Sequence, residues 1–220
     1  MILENYIYIK PQAFSEKETQ IIEDAYANVK IQNATVGENI KDEHGDIADG
    51  QAHEHIRTTD LKWLEWLPDS IEERIAEEVR LCFEETGWNW NIERHQMWQY
   101  TIYNAKPDRP KGDFYTWHTD AGPNPYPDGS IRKLSLTLQL SDPDEYEGGF
   151  FQWIDPKQEF DKLQDSRSIN MDNAIQTLPH TLKQKGSLVL FPSFMHHQVT
   201  PVTRGTRKSL VTWFLGPQYV

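Results

Sequence analysis

The first third of the chain has the hydrophobic spacing of two amphipathic helices. Ser15 is followed three residues later by Glu18, which is the spacing of a capping box and predicts a helix start. The apolar residues behind it recur at helical intervals: Ile21, Ile22, Ala25, Tyr26 and Val29. A second helix is predicted from about Asp69 to Thr86, with Gly87 as its stop. Each helix has one apolar stripe, so we expect both to pack against another layer.

From residue 93 onward the pattern changes to short alternating or apolar segments separated by Pro and Gly, which is typical of an antiparallel sandwich or barrel. Strands are predicted at residues 96–103, 114–120, 133–140, 149–154, 187–191, 197–202 and 208–215. Seven or eight strands fit a jelly roll. In the segment 133–140 leucines alternate with Ser135, Thr137 and Gln139, which share the opposite face. A polar face inside a barrel predicts a lined cavity.

The predicted fold is therefore mainly β, a double-stranded β-helix of the jelly-roll form with helices packed on one sheet. We expect one domain over residues 1–220, in which 1–92 supply supporting helices and a loop and 93–217 form the core. A polar loop without periodicity is predicted at 36–55. Further loops at 104–113, 121–130 and 155–185 are expected to shape or cover a site.

Composition argues against several classes of partner. Acidic residues number 34 against 22 Lys and Arg, and a net charge of -12 opposes binding to a phosphate backbone. No segment approaches the roughly 18 apolar residues of a membrane span, and residues 1–5 lack the basic start of a signal peptide. Cys82 is the single cysteine, so no internal disulfide is possible. We expect a soluble cytoplasmic protein without nucleic-acid or membrane partners.

Candidate chemistry begins with His118 and Asp120, which lie two residues apart on a predicted strand. Residues i and i+2 of a strand point to the same side, so imidazole and carboxylate can contact one metal ion. The motif has low specificity by itself, because it recurs at residues 44–46 with two more histidines nearby. That second cluster lies in the glycine-containing loop, which holds ligands less well than a strand, and we expect solvated surface histidines there.

Two segments near the end of the chain add a third candidate ligand and a cation. His197 begins the sequence His-Gln-Val-Thr-Pro-Val, and Gly205 is a plausible turn residue before the next strand. The two segments are predicted to form a hairpin whose returning strand places Arg207, Ser209, Val211 and Trp213 on one face. A guanidinium buried in a polar barrel needs a partner, and a dicarboxylate held in bidentate fashion would satisfy it.

The order of these motifs resembles the prolyl 4-hydroxylase-type family of iron(II)- and 2-oxoglutarate-dependent oxygenases. The matching features are His-x-Asp, a distal histidine in His-x-Val-x-Pro-Val, and a basic residue ten positions later. Further matches are Tyr103, the segment 115–118 that leads into the first ligand, Glu-Gly-Gly at 147–149, the segment 186–192, and Trp213. The resemblance covers about residues 93–216. Collagen-modifying members carry Lys where this chain has Arg207.

The resemblance implies a role for each of these residues. It makes His118, Asp120 and His197 the iron ligands, and Arg207 the partner of the distal carboxylate of 2-oxoglutarate. It also implies that Tyr103 hydrogen-bonds the cosubstrate, and that the pocket is lined by Gln139, Thr137 and Trp213. The implied cofactors are iron(II), 2-oxoglutarate and dioxygen, with ascorbate as an optional reductant. A 2-His-1-carboxylate face suits this chemistry because it leaves open positions on iron.

The implied activity is hydroxylation of a C–H bond, coupled to decarboxylation of 2-oxoglutarate to succinate and carbon dioxide. The leading substrate is a prolyl residue in a peptide or protein. A free amino acid or another protein side chain is the alternative substrate. A second class of function remains open, a cupin-like module that binds a metal or a small anion without turnover. Succinate formation that requires ferrous iron distinguishes the two classes.

Overall fold

Both predicted helices are present in the computed structural model, which describes residues 6–34, 56–107, 111–155 and 175–219. Helix α1 spans Glu16–Tyr26, and its capping box is formed as expected between Ser15 and Glu18. Helix α2 spans Asp69–Thr86 and ends at Gly87, whose φ of 70° is the left-handed conformation that glycine adopts without strain. None of the helices in the described ranges combines the length and the apolar composition that a bilayer crossing requires.

The strands of the described residues range in length from two residues to sixteen. In chain order they are β1 (Tyr8–Lys10), β2 (Gln32–Asn33), β3 (Arg57–Thr58), β4 (Asp60–Leu64), β5 (Arg94–His95), β6 (Trp98–Asn104), β7 (Phe114–His118), β8 (Ser130–Gln139), β9 (Tyr146–Gly148), β10 (Phe151–Ile154), β11 (Ile175–Thr177), β12 (Leu188–Pro192), β13 (His197–Val199) and β14 (Val202–Pro217).

These strands form two antiparallel sheets, which is the predicted jelly-roll arrangement. The larger sheet has the order β1-β12-β8-β14-β6-β4-β2, and β5 and β9 pair with β14 beside this path. The smaller sheet has the order β11-β10-β13-β7-β3. The consecutive strands β7 and β8 lie in different sheets, and so do β13 and β14. Side chains of β7 and β13 can therefore meet those of β8, β14 and β6 between the two sheets.

The larger sheet separates an apolar layer from a polar interior, as its alternation predicts. The leucines of β8 are fully buried in one cluster with apolar residues of α1 and α2, so the helices pack on this outer face. Ser135, Thr137 and Gln139 are also buried but lie on the other face. The same alternation places Ser209 and Arg207 on the inner face of β14, because Ser209 pairs with Gln139. The cavity wall is therefore polar.

The predicted hairpin between residues 197–202 and 208–215 is wrong. β13 ends at Val199 and pairs with β7 and β10 in the smaller sheet, whereas β14 starts at Val202 in the larger one. Pro201 lies between them and has no N–H to donate, so the ladder stops there and the chain changes sheets. Gly205 lies within β14 rather than in a turn, and a side chain there would collide with the carbonyl of Glu145.

Other predicted strand and loop boundaries also differ from the structure. The strand expected at 114–120 ends at His118, so Asp120 follows the strand instead of belonging to it. The loop expected at 155–185 contains the short strand β11 among its described residues. The front segment contributes β1 to β4 in addition to the helices. The histidines of the 36–55 loop lie outside the described residues.

Candidate functional site

His118, Asp120 and His197 come together at one end of the smaller sheet. His118 is the last residue of β7 and His197 the first of β13, and these two residues pair directly in the ladder. Asp120 follows two residues later and reaches both rings, with its carboxylate oxygens 3.6 Å from His118 Nε2 and 3.5 Å from His197 Nε2. One ligand atom from each residue lies within 4.8 Å of the other two. The three side chains are 13%, 8% and 7% exposed.

Backbone carbonyls fix the orientation of both imidazole rings. His118 Nδ1 lies 2.7 Å from the carbonyl oxygen of Thr116, and His197 Nδ1 lies 2.9 Å from that of Met195. A carbonyl only accepts, so each Nδ1 carries a proton and each Nε2 points to the centre of the group. This tautomer is the one that a metal ligand requires.

The carboxylate of Asp120 is held from the larger sheet. Ser135 on β8 donates its hydroxyl to Oδ2 at 2.7 Å and is itself 2.9 Å from the hydroxyl of Ser193. The backbone N–H of Asp120 donates to the carbonyl of Ser193 at 2.9 Å. The bend after β7 is thus tied to the opposite sheet, which explains why Asp120 reaches the site although it lies outside the strand.

The electrostatics of this group suit a bound cation. Burial, reinforced by the neighbouring charge of His118, lowers the pKa of His197 to about 4, so its ring is neutral near neutral pH. Burial raises the pKa of Asp120, but the charges of His197, His118 and Arg132 outweigh burial and hold it well below its usual range. The rings of His118 and His197 together with the carboxylate of Asp120 are the donor set of a 2-His-1-carboxylate metal centre.

Arg207 lies on the inner face of β14 and is only 2% exposed. Its guanidinium donates to Gln139 Oε1 at 3.0 Å and weakly to Ser209 Oγ at 3.4 Å, both of which are neutral acceptors. In the described ranges no carboxylate lies within 4.0 Å of it. A buried guanidinium with neutral partners only is costly, and an anionic ligand would relieve that cost. The Nε2 donor of Gln139 is also buried and unpaired in the described structure.

Strand β8 connects the two parts of the site. On its inner face Ser135 contacts Asp120 and Gln139 contacts Arg207, with the buried Thr137 between them. Ser135 and Gln139 are four residues apart on the strand, a separation of about 13 Å. The His118, Asp120 and His197 group and the guanidinium of Arg207 therefore lie along the same inner face. Tyr103 on β6 contacts Arg207, whose guanidinium carbon lies 5.3 Å from the Tyr103 ring centroid.

Tyr103 is buried and feels charges from both ends of the site. Burial raises the pKa of its phenol, while Arg57 and Arg207 lower it and Asp120 raises it further. The phenol therefore stays protonated and can donate a hydrogen bond near neutral pH. Trp213 lies on the same face of β14 as Arg207, and its buried indole N–H has no acceptor among the described residues. The structure brings His118, Asp120 and His197 together and places Arg207, Gln139, Thr137, Tyr103 and Trp213 on the strands β6, β8 and β14 beside them.

The sequence alone missed the roles of two residues that support Asp120. Ser135 was predicted to be polar lining but not a partner of Asp120. Arg132 stacks on Trp213, with its guanidinium carbon 3.9 Å from the ring centroid, and donates to the backbone carbonyl of Asp120. Its place beside Lys133 in an otherwise acidic chain was the available signal.

A stack of three residues supports His118 from the side. The ring of Tyr115 lies parallel to that of His118 at a centroid distance of 3.4 Å. The buried Arg57 covers the other end of the stack, 4.6 Å from the Tyr115 ring centroid, and pairs through Nε with Thr59. Because β3 pairs with β7, Arg57 is directly opposite Tyr115 in the ladder. The front segment therefore contributes to the site wall.

Comparison with known families and proteins agrees with this geometry. The model of the 2OG-Fe(II) oxygenase superfamily matches residues 98–215, which include every predicted site residue. A PKHD-type hydroxylase of Synechococcus sp. strain CC9902 is 35% identical over 102 residues, which cover 46% of this chain and 36% of that protein. The chain therefore spans about a third of the length of this curated relative.

Two solved structures share the fold. A prolyl-4-hydroxylase from Pseudomonas putida superposes with a TM-score of 0.60 at 16% identity, covering 98% of this chain and 95% of that one. A prolyl hydroxylase from Trichoplax adhaerens, solved with a peptide fragment of hypoxia inducible factor, gives a TM-score of 0.64 at 16% identity, covering 96% and 84%. At these identities the likeness concerns the fold, and it supports the jelly-roll arrangement.

Proposed function

This chain belongs to the 2OG-Fe(II) oxygenase superfamily, and on that premise we propose that it is an iron(II)- and 2-oxoglutarate-dependent hydroxylase. His118, Asp120 and His197 hold the iron, and Arg207 binds the distal carboxylate of 2-oxoglutarate. The observation that carries the proposal is the buried Arg207, whose partners among the described residues are neutral and which lies on the inner face of the sheet that also holds Ser135, the partner of Asp120. A metal-binding module without cosubstrate would not need that charge.

The donor set and the lining residues fit the two groups that the family name implies. Both Nδ1 atoms face backbone carbonyls, both Nε2 atoms are turned toward Asp120, and Ser135 fixes the carboxylate that completes the face. When bound, iron supplies the oxidative chemistry that side chains lack. For the cosubstrate, Arg207 offers the bidentate fork that suits a carboxylate. Tyr103 and the unpaired amide of Gln139 offer further donors, and Thr137 lines the wall between them.

We propose a prolyl residue in a peptide or protein as the substrate. The names of similar proteins support this choice, since they include a PKHD-type hydroxylase and two prolyl hydroxylases, one of them solved with a peptide. Trp213 supports it from within the chain, because it offers a flat apolar ring and an unpaired N–H beside the ligand group. A free amino acid or another protein side chain is the alternative that the same wall allows.

Turnover tests the reaction class. The purified protein is incubated with ferrous iron, 2-oxoglutarate, dioxygen and either a proline-containing peptide library or free proline, and succinate and a mass gain of one oxygen are measured. We expect succinate only with ferrous iron, and an oxygenated peptide. His118→Ala and Asp120→Ala should abolish both signals. His196 is exposed and lies next to His197, so His196→Ala is the matched control and should retain iron binding.

Failure has distinct meanings in this test. Metal binding without succinate would support the cupin-like module and contradict the hydroxylase. Succinate with oxygenated free proline but no oxygenated peptide would contradict the peptide substrate alone.

We also propose that residues 1–220 act as one oxygenase domain, with 93–217 as its catalytic core. An intracellular location is proposed as well, supported by the single buried Cys82.

A further inference from the structure

Lys183 occupies an unusual position outside the site described above. It is 5% exposed and follows the short helical turn His180–Leu182. Its ammonium lies 3.6 Å from the ring centroid of Phe150 and 5.5 Å from that of Tyr146, and its one hydrogen-bond contact among the described residues is a long one of 3.5 Å to the carbonyl of Gly148. Within the described ranges no carboxylate lies within 4.0 Å of this ammonium. Among the described residues the ammonium therefore has aromatic rings and one long carbonyl contact as partners, and no short hydrogen bond.

The ammonium faces a cavity of about 440 Å³ at the β9 end of the barrel. Tyr146, Phe150 and Lys183 all line this cavity. The Tyr146 residue is 4% exposed, and its hydroxyl is buried without a hydrogen-bond partner in the described structure. A buried cation that lines the cavity, and the buried hydroxyl of a second lining residue without a partner, are the groups that a bound anion would satisfy once the Tyr146 side chain shifts to meet it.

The acidic residues that line the cavity form no ion pair with Lys183 in the described structure. Glu147 lines the same cavity but pairs with Arg204 at 2.7 Å. Burial and the nearby positive charge of Arg207 lower the pKa of Lys183 to about 8, which is the direction expected for a cation without a compensating carboxylate. The cavity lining also includes Asp144, so Lys183 and Arg204 face two acidic residues there, of which Glu147 pairs with Arg204.

The cavity is separate from the proposed 2-oxoglutarate site. Neither Arg207 nor any of the three ligand residues lines it. Gly149 is the point where the two parts of the structure approach each other, since a Cβ there would lie 2.9 Å from Cδ of Arg207 and 3.3 Å from the Tyr146 ring. Lys183 and Arg207 are close enough to interact electrostatically, but only Lys183 lines this cavity.

We propose that this cavity is a second anion site, which binds a small carboxylate with an apolar body. The carboxylate accepts from the ammonium of Lys183 and from the hydroxyl of Tyr146, and the apolar body packs on Phe150, which is 39% exposed. The aromatic wall favours such a carboxylate over inorganic phosphate. The assignment is independent of the hydroxylase proposal, because it uses none of the groups that hold iron or 2-oxoglutarate.

The test uses 4-fluorobenzoate as the probe, observed by fluorine NMR on the full chain. We expect saturable binding that Lys183→Met weakens at least tenfold, because a charge-assisted hydrogen bond is lost. Tyr146→Phe keeps the ring and should weaken binding a few-fold. Lys111→Met is the matched control, since Lys111 also lies over a phenylalanine ring, that of Phe114, but is exposed and outside the cavity. It should bind the probe as the wild type does.

A comparison with Arg207→Met separates the two sites. We expect Arg207→Met to lose 2-oxoglutarate binding and keep the probe, and Lys183→Met to show the reverse, with 2-oxoglutarate affinity changed by at most a few-fold. Thermal unfolding of each variant checks its fold. The proposal is overturned if the wild type does not bind the probe, if Lys183→Met binds it unchanged, or if 2-oxoglutarate at a concentration that just saturates the Arg207 site displaces it.

Discussion

Replacing Arg207 with methionine should separate ligand binding from folding. The guanidinium is 2% exposed and donates only to neutral oxygens, at 3.0 and 3.4 Å. Met keeps much of the length and apolar volume but removes the charge. In the absence of 2-oxoglutarate the change costs about 1 kcal/mol, because Gln139 loses its donor. It also removes a desolvated charge that costs several kcal/mol. The free energy of unfolding should therefore stay the same or rise.

The effect on 2-oxoglutarate has the opposite sign and is larger. Two charge-assisted hydrogen bonds to one carboxylate contribute about 1.5 to 3 kcal/mol each. Allowing for the relief of the buried charge, a net loss of about 3 kcal/mol is expected, which weakens binding roughly 150-fold. At a concentration of 100 times the wild-type Kd, the ligand stabilises the wild type by about 2.7 kcal/mol. The same concentration should stabilise Arg207→Met by only about 0.3 kcal/mol.

Urea unfolding followed by tryptophan fluorescence, with and without 2-oxoglutarate, measures both quantities. Arg204→Met is the matched control, because Arg204 lies three residues earlier on the same strand but forms an exposed pair with Glu147. Exposed pairs contribute little, so this variant should keep the full ligand effect. The reasoning is refuted if Arg207→Met retains the 2.7 kcal/mol gain. It is also refuted if the ligand-free variant loses several kcal/mol, since Arg207 would then be satisfied within the protein.

Three further predictions concern the surrounding residues. Ser135→Ala removes the donor to the ligand carboxylate, and metal titration should show an affinity 10- to 100-fold lower; an unchanged affinity would mean that this hydrogen bond does not orient the ligand. Because the pKa of His197 is about 4 in the metal-free protein against about 6.5 unfolded, the unfolded state binds more protons between these values. Stability should therefore fall by about 3 kcal/mol as the pH drops from 6.5 to 4, and urea midpoints that stay constant over this range would contradict the burial argument. Gly149→Ala should lower stability by about 1 to 2 kcal/mol through its φ of 55° and also weaken 2-oxoglutarate binding, because the new Cβ lies 2.9 Å from Arg207. Gly87→Ala, at a φ of 70° with open space around it, should lower stability alone.

Local patterns were sufficient for much of the fold. The alternation around Ser135, Thr137 and Gln139 has a period of two residues, so a single strand reveals which side chains face the cavity. Helix α1 was predicted from one capping box and a stripe, and α2 from a stripe and the glycine that ends it. The order of the site motifs along the chain led to the family that the superfamily match later identified.

The remaining features depend on contacts that sequence periodicity does not contain. Strands of two residues, such as β3 and β5, are too short to show any period. The hairpin prediction failed because the chain changes sheets at Pro201, and that change is decided by pairing with distant strands. The support of Asp120 by Ser135 was not predictable for the same reason. Lys183 had no signal at all, since it is one basic residue in a predicted loop.

The central claim is that two separated chain segments build one iron site facing an arginine that binds a diacid. A crystal structure prepared without oxygen, with iron(II) and 2-oxoglutarate bound, tests it most directly. The expected result is a metal ion bound by His118, Asp120 and His197, with the distal carboxylate of 2-oxoglutarate on Arg207. A metal ion bound elsewhere, or a cosubstrate whose distal carboxylate lies away from Arg207, would contradict the claim.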